Sequence, residues 1–584
     1  MEMKNLIING KEYSVPNNMT ILEACRFVGI YIPTLCWLKD VNEIGACRIC
    51  VVEVKGARSL VAACVYPVTD LRPGSEIFTN SPAVIEARKT TLELILSNHD
   101  RKCLSCVRSG NCELQTLCNE YGVENEGKFD GSRDDYAIDA SASHMVRNNN
   151  KCILCRRCSA VCSKVQAVSV IGANDRGFKT HIGCAFEADL ADVACVSCGQ
   201  CINVCPTGAL TERDDTDKVF AALNDPTKHV VVQTAPAVRV GLGEEFGLPI
   251  GTIVTGKMVS ALKRLGFDGV FDTNFSADLT IMEEATEFIQ RFTKKENLPL
   301  ITSCSPGWIK FCEHNYPEMI PNLSTCKSPQ GMFGSVAKTY YAEKMGIDPK
   351  DIFVVSVMPC TAKKFEAERL DHTAVEGLAD IDASITTREL ARMIKKCGIM
   401  FNALPDEEFD KPFGLGSGAG TIFGATGGVM EAALRTAAIK FLGVKLDSIE
   451  INEVRGVEGI KEANFNLGGT EIKVAVASGL ANAKKLLDMV KSGEKTFDFI
   501  EIMACPGGCV NGGGQPIQPA SVRYFVDLRA VRAAGLYKDD QQLPVRLSHE
   551  NEDVKAIYDE YFTEPGSHRA HEILHTGYTA RPKY

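Results

Sequence analysis

The sequence predicts a multidomain α/β chain in which small, cysteine-rich α+β modules precede one large α/β region. Three observations carry this expectation. At 584 residues the chain exceeds what one hydrophobic core supports and fits about four domains. Of its 25 cysteines, 18 lie ahead of residue 210, most of them in tight clusters. Short apolar runs separated by amphipathic stretches dominate only from residue 211 onward. The composition is globular, 45% hydrophobic and 24% charged, without an apolar run long enough to span a bilayer. The opening "MEMKNLIINGKEYSV" has early polar breaks and no small-residue cleavage site, so a cytoplasmic protein is expected. A net charge of −10 with no Lys/Arg block argues against a nucleic-acid partner.

Residues 1–79 form the first module. "KNLIINGKEYSV" alternates apolar and polar residues around Asn9–Gly10, a hairpin signal. "TILEACRFVGI" has helical spacing with Thr20 as its cap. Cys36, Cys47, Cys50 and Cys64 follow. In a reducing compartment such clusters are metal sites rather than disulfides. A long gap, a CxxC and a distant fourth cysteine resemble the plant-type [2Fe–2S] arrangement, although the first two gaps differ from it. A β-grasp-like fold is expected, with a zinc ribbon as the competing reading.

Residues 80–125 hold His99, Cys103, Cys106 and Cys112 in the order HxxxCxxCxxxxxC. Taken alone, three thiolates and an imidazole suit zinc as well as iron. The order resembles the His/Cys3 [4Fe–4S] segment shared by the large iron–sulfur subunit of respiratory complex I and certain hydrogenases. Residues 140–210 are more specific. "CILCRRCSAVC" supplies Cys152, Cys155, Cys158 and Cys162, and "CVSCGQCINVCP" supplies Cys195, Cys198, Cys201 and Cys205. Each run is C-x2-C-x2-C-x3-C, the two-cluster bacterial ferredoxin signature, in which the fourth cysteine ligates the other cluster. Cys152, Cys155, Cys158 and Cys205 are thus expected on one cube, and Cys195, Cys198, Cys201 and Cys162 on the other. Cys118 and Cys184 are read as bystander or structural thiols. Such clusters span roughly −700 to +450 mV, so this N-terminal region is read as an electron relay.

Residues 211–525 have α/β texture. "HVVVQTAP" and "IFVVSVMP" are buried strands, while "TIMEEATEFIQRF", "TTRELARMIKKCG" and "GGVMEAALRTAAIKFLG" are helices. "GLGSGAG" fits a relaxed dinucleotide fingerprint but follows no clear strand, so nicotinamide binding on this chain is not expected. Chemistry falls on three motifs: "TSCSPGW" with Cys304 and Ser305, "MPCTAKKFE" with Cys360 and Lys363, and "EIMACPGGCVNGGGQP" with Cys505 and Cys509. The glycines after Cys509 let backbone approach something bulky. Cys312, Cys326 and Cys397 are read as core thiols. Near the end, "HEILH" fits the zinc-protease pattern, but little chain follows to build a third ligand or a cleft.

Together these motifs resemble the [FeFe] hydrogenases of the large, multi-cluster type, over nearly the whole chain. The resemblance implies a catalytic domain of two lobes around an H-cluster, a [4Fe–4S] cube bridged to a diiron unit carrying CO, CN and a dithiolate. It makes Cys360, Cys505 and Cys509 cube ligands, with Cys509 the bridge. It gives Lys363 a hydrogen bond to cyanide and packs Met358 and Met503 beside the diiron unit. It assigns proton transfer to Cys304, Glu284, Ser324, Glu287 and Arg291, although an i,i+4 ion pair on an exposed face is the plain reading of Glu287 and Arg291. Residues 526–584, including "GSHRAHEILH", resemble the family's closing segment, which packs on the catalytic domain's surface. One [2Fe–2S], three accessory [4Fe–4S] clusters and the H-cluster are implied.

The family has Cys-Cys where this chain has Cys304–Ser305. The serine either ligates iron weakly, leaves Cys304 to ligate instead, or leaves the cube incomplete. Reversible proton reduction, 2H⁺ + 2e⁻ ⇌ H2, is the expected activity. The alternative is a hydrogen-sensing or electron-transfer subunit whose catalysis Ser305 impairs. Electrons are expected to pass to ferredoxin, or to flavin- and NAD(P)-binding partner subunits.

Overall fold

Asn9 and Gly10 both take positive φ, 49° and 81°, the backbone of a type I′ hairpin turn. They join Met3–Ile8 antiparallel to Lys11–Pro16. In the computed structural model, which describes residues 2–583 apart from 73, 125–127, 130, 445–447 and 468, this hairpin edges a five-stranded mixed sheet. Helix Ile21–Phe27 starts at Thr20, whose hydroxyl accepts from the Glu23 N–H while Glu23 reaches back to the cap, a capping box. Its apolar face joins Leu6, Ile8 and Val15 in one core with Cys50 and Cys64.

From residue 229 the chain builds two four-stranded sheets. In the first, His229–Thr234 lies between Gly269–Asp272 and Ile352–Met358, and Ala383–Thr386 completes a fully parallel set. "HVVVQ" and "IFVVS" are buried on both faces, as a parallel sheet covered by helices requires. In the second, Phe499–Met503 pairs parallel with Leu300–Ile301 and Thr470–Ser478. A hairpin partner, Ile460–Leu467, makes that edge antiparallel. Thr386 caps helix Thr387–Lys396 with a second capping box.

The expected helix "TIMEEATEFIQRF" belongs to a longer one, Thr273–Lys294, buried continuously from Thr273 through Ala285. It is a central helix rather than an amphipathic surface one. "GLGSGAG" binds no strand end: Ser417 caps the short helix Gly418–Ile422, and Gly416 and Gly420 press on Asn274. Cys312 and Cys326 are buried, but Cys397 is exposed. The core reading of Cys397 is therefore corrected; it follows the last turn of its helix, where the chain leaves the sheet. No helix among the described residues is long and apolar enough to cross a membrane.

Candidate active site

The three motif loops each follow a parallel strand. Thr302–Cys304 leaves Leu300–Ile301, Pro359–Cys360 leaves Ile352–Met358, and Ala504–Cys505 leaves Phe499–Met503. Carboxyl ends of strands from both sheets therefore line one cavity, the usual place for a ligand in an α/β fold. Cys304, Cys360, Cys505 and Cys509 face it, together with Ser305, Lys363, Met358 and Met503. Burial, and then the charges of Cys360, Cys198 and Cys509, push the Cys505 thiol far up. Burial and then Cys360 push Cys509 up to about 12. Only a cation-rich partner would ionise such thiols. Three soft donors, a hydroxyl, two thioethers and one ammonium around apolar walls fit an iron–sulfur cube joined to an anionic diiron group.

"TSCSPGW" is held from both sides. Trp308 is fully buried and its Nε1 donates to the Thr302 carbonyl at 3.1 Å. Ser303 Oγ donates to the Cys326 carbonyl at 2.7 Å. Ser305 precedes helix Pro306–Asn315 but leaves its N-terminus uncapped. Its Oγ instead accepts from the Ala504 N–H at 3.2 Å, beside Cys505. Burial raises the Cys304 thiol well above its usual range, and Glu284, Glu501 and Cys509 add to the rise. Lys363 donates to Ser328 Oγ at 2.7 Å, Glu366 Oε2 at 2.8 Å and the Cys304 carbonyl at 3.3 Å.

Glu284 lies on the central helix. Both its carboxylate oxygens are buried and without a hydrogen-bond partner among the described residues. Burial first, and then Glu287, push its carboxyl up to about 8, while the Ser324 hydroxyl acts the other way. Ser324 Oγ donates to Glu287 Oε2 at 2.9 Å, and Arg291 Nη2 donates to Glu287 Oε1 at 2.6 Å. The i,i+4 ion pair is present, but Arg291 also donates to the Leu323 and Pro321 carbonyls, fixing it as the outer end of a line of titratable groups.

This cavity and its line of acids can now be set beside known proteins. Residues 228–513 match the C-terminal domain of the iron-only hydrogenase large subunit, and 526–581 match the iron hydrogenase small subunit. The NADP-reducing hydrogenase subunit HndD of Solidesulfovibrio fructosivorans is 48% identical over all of both chains. This chain belongs to the [FeFe] hydrogenases. Iron hydrogenase 1 of Clostridium pasteurianum is 46% identical, over 99% of this chain and 100% of its own. A solved variant of [FeFe]-hydrogenase HydA1 from Chlamydomonas reinhardtii is 44% identical with a TM-score of 0.57, over 63% of this chain and 100% of that one. Three further stretches match iron–sulfur models: a 2Fe–2S domain at 2–82, the NADH-ubiquinone oxidoreductase-G iron–sulfur region at 88–126, and a 4Fe–4S dicluster domain at 151–209.

In this hydrogenase the relay thiols fall into groups. Cys36 shares a hydrogen bond with Cys47, and Cys50 with Cys64, one thiol of each pair being held down and its partner pushed up. Besides burial, Cys205 and Cys152 raise Cys158, whereas Cys198, Cys195, Cys162 and, last, Cys158 raise Cys201. Burial takes the His99 imidazole down to about 4, leaving it a neutral donor. A Cβ on Gly208 would meet Cys106 Sγ at 2.7 Å, so this segment presses on the dicluster module.

Of the "VNGGG" glycines, Gly512 lines the cavity, and the run is also packed against neighbouring protein. A Cβ on Gly512 would meet the Pro359 carbonyl oxygen at 2.1 Å, and one on Gly513 would meet the Cys198 carbonyl oxygen at 2.5 Å. They admit protein backbone, seating the dicluster module against the active-site loop. Asn203 Nδ2 donates to the Gly512 carbonyl at 3.0 Å and Gln200 Nε2 to the Asn511 carbonyl at 2.8 Å. Cys198 consequently lines the same cavity as Cys360 and Cys505. Gly513→Ala is expected to cost about 1–3 kcal/mol by overpacking, read as a lower unfolding midpoint of the cluster-loaded protein.

Sequence reasoning missed Glu501, Ser328 and Gln330. Glu501 accepts from the Gly427 and Met430 N–H groups at 2.6 and 2.7 Å, at the start of helix Gly428–Thr436. Its signal was a glutamate inside the apolar run "FIEIM", which burial forces to find donors. Gln330 Nε2 and Ser328 Oγ both donate to Glu366 Oε2 at 2.9 Å, completing the setting of Lys363. Nor does the closing segment only coat the surface. His575 Nε2 lies 3.0 Å from Glu283 Oε2, inside the domain.

Proposed function

We propose that this hydrogenase divides 2H⁺ + 2e⁻ ⇌ H2 between a cluster cavity, a proton route and an electron relay. The observation that carries this is the convergence of Cys304, Ser305, Cys360, Cys505, Cys509 and Lys363 on one cavity, with the buried Glu284 carboxyl on the central helix lacking a hydrogen-bond partner among the described residues. Cys360, Cys505 and Cys509 would hold the cube, Cys509 as the bridge, and the Ser305 hydroxyl would be the candidate fourth ligand. When bound, the H-cluster supplies the heterolysis of hydrogen. Lys363, Met358 and Met503 would hold the diiron end in place and keep water out.

The chain's own residues handle the protons. A proton passes between the Cys304 thiol and the Glu284 carboxyl, then through the Ser324 hydroxyl to Glu287, where Arg291 holds the outer carboxylate. Glu284, protonated near neutral pH, can give a proton and take one back. The thiol groups support one [2Fe–2S] and three accessory [4Fe–4S] clusters, the last of them at Cys198 beside the cavity. The five-stranded sheet with its single crossing helix supports a β-grasp-like first module. The proton/hydrogen couple at neutral pH, seven units at about 59 mV each, matches plant-type ferredoxins at about −400 mV. Either direction is then accessible. The electrons would be exchanged with a ferredoxin or with flavin- and NAD(P)-binding partners, the name of HndD pointing to NADP. The free, clustered cysteines support a cytoplasmic site of action.

The test is hydrogen evolution from reduced viologen by anaerobically loaded protein, with Ser305→Cys beside it. Both are expected to turn over, within about tenfold of each other, because Ser305 lines the same cavity as Cys360, Cys505 and Cys509 and its oxygen could serve as a hard fourth ligand. Activity confined to the cysteine variant would instead favour the sensing or electron-transfer reading.

A further inference from the structure

The acids of the proton route touch a second constellation. Glu287 on the central helix, Cys326 and His575 each place one ligating atom within 4.8 Å of the others. Cys326 Sγ is 3.8 Å from Glu287 Oε2, a fitting separation for two ligands of one tetrahedral ion with a metal–sulfur bond of about 2.3 Å.

His575 is already set for the task. Its Nε2 lies 3.0 Å from Glu283 Oε2, and Glu283 also accepts from Tyr558 Oη and from the Gly566 N–H. A carboxylate so placed holds the proton on Nε2 and leaves Nδ1 with its lone pair, the arrangement found behind metal-bound histidines. Nδ1 faces Thr325 Oγ1 at 2.7 Å, and Thr325 Oγ1 in turn contacts Glu287. The "HEILH" match thus contributes one ligand of a different set. Glu572 and His571 of that motif are exposed, and the His571 ring stands over His575 at 4.2 Å between centroids, on the solvent side.

We propose that Glu287, Cys326 and His575 form a binding site for a thiophilic divalent cation, Zn²⁺ foremost, whose occupancy closes the proton route. Binding releases one proton, from the Cys326 thiol. Thiolate and carboxylate then neutralise the ion, and a water completes four-coordination. The ion would take Glu287 Oε2, the oxygen that now accepts from Ser324, while Arg291 keeps Oε1. The Ser324–Glu287 step is lost. The closing of the route rests on the proton path proposed above; the binding does not.

The experiment dialyses cluster-loaded full-length enzyme against Zn²⁺, counts zinc and iron, and records zinc K-edge X-ray absorption. One retained zinc per chain is expected, with one sulfur at about 2.3 Å and nitrogen or oxygen at about 2.0–2.2 Å. Cys326→Ala and, separately, His575→Gln should lose it at unchanged iron content, whereas His571→Gln should keep it. Glu283→Gln should weaken retention about 10- to 100-fold. Zinc should lower hydrogen evolution by about tenfold or more in the wild type, reversibly with chelator, and leave Cys326→Ala unaffected. Zinc retained by both ligand variants, or a shell without sulfur, overturns the site. Zinc bound through Cys326 and His575 with full turnover overturns the closing, and with it the passage of protons through Glu287, while the site stands.

Discussion

Glu284→Gln lowers hydrogen evolution by about 10²–10⁴-fold, the usual worth of a positioned proton-transfer group, with iron content unchanged. Gln matches the volume of Glu and sits where neither carboxylate oxygen has a hydrogen-bond partner among the described residues, so the fold tolerates it. It cannot carry a proton from Cys304 toward Ser324. The sign of the pH effect follows from the cause. Burial and then Glu287 raise this carboxyl from 4.5 to about 8. Its stability contribution is therefore full below about pH 4.5 and declines as pH rises toward 8, at about 1.4 kcal/mol per unit at most. Denaturant unfolding of wild type and variant across that window is the check. A variant with wild-type turnover, or with an unchanged stability slope, would remove Glu284 from the route.

Cys509→Ala abolishes turnover. The thiol is delivered by a short turn, Cys509–Asn511, that begins after Gly508 at φ 94°. A Cβ on Gly508 would stand 2.6 Å from the Thr426 nitrogen, so only glycine brings Cys509 this close to Cys360 and Lys363. Iron analysis should show the accessory clusters retained and the diiron iron missing, and magnetic resonance should show relay signals without those of the active site. Hydrogen evolution above background would mean that another residue holds the diiron unit.

Ligand sets with short, regular spacing were legible because their geometry is local. The C-x2-C-x2-C-x3-C runs carry their chemistry in short consecutive stretches, and this region matches a 4Fe–4S dicluster domain. The Asn9–Gly10 turn and the Thr20 cap were likewise legible, because φ preference and side-chain hydrogen bonding act over about four residues. Cys397 misled because a small apolar residue after an amphipathic helix looks alike in sequence whether the chain turns inward or outward.

By itself the sequence determined the family's motifs, the electron relay and the identity of the thiols that meet at the site. Tertiary structure alone decided what those motifs face. The direction of the Ser305 hydroxyl depends on Ala504, 199 residues away. The seating of the "VNGGG" loop depends on Cys198, and the burial of Glu284 on a helix whose first half reads as half-polar. His575 meets Glu283 across 292 residues. For the Ser305 contact the physical reason lies in the sheet, and the other three are packing contacts between elements far apart in the chain. Parallel strands are joined by long crossovers, so residues meeting at their carboxyl ends are brought together by sheet order and loop packing, which leave no periodic trace in the chain.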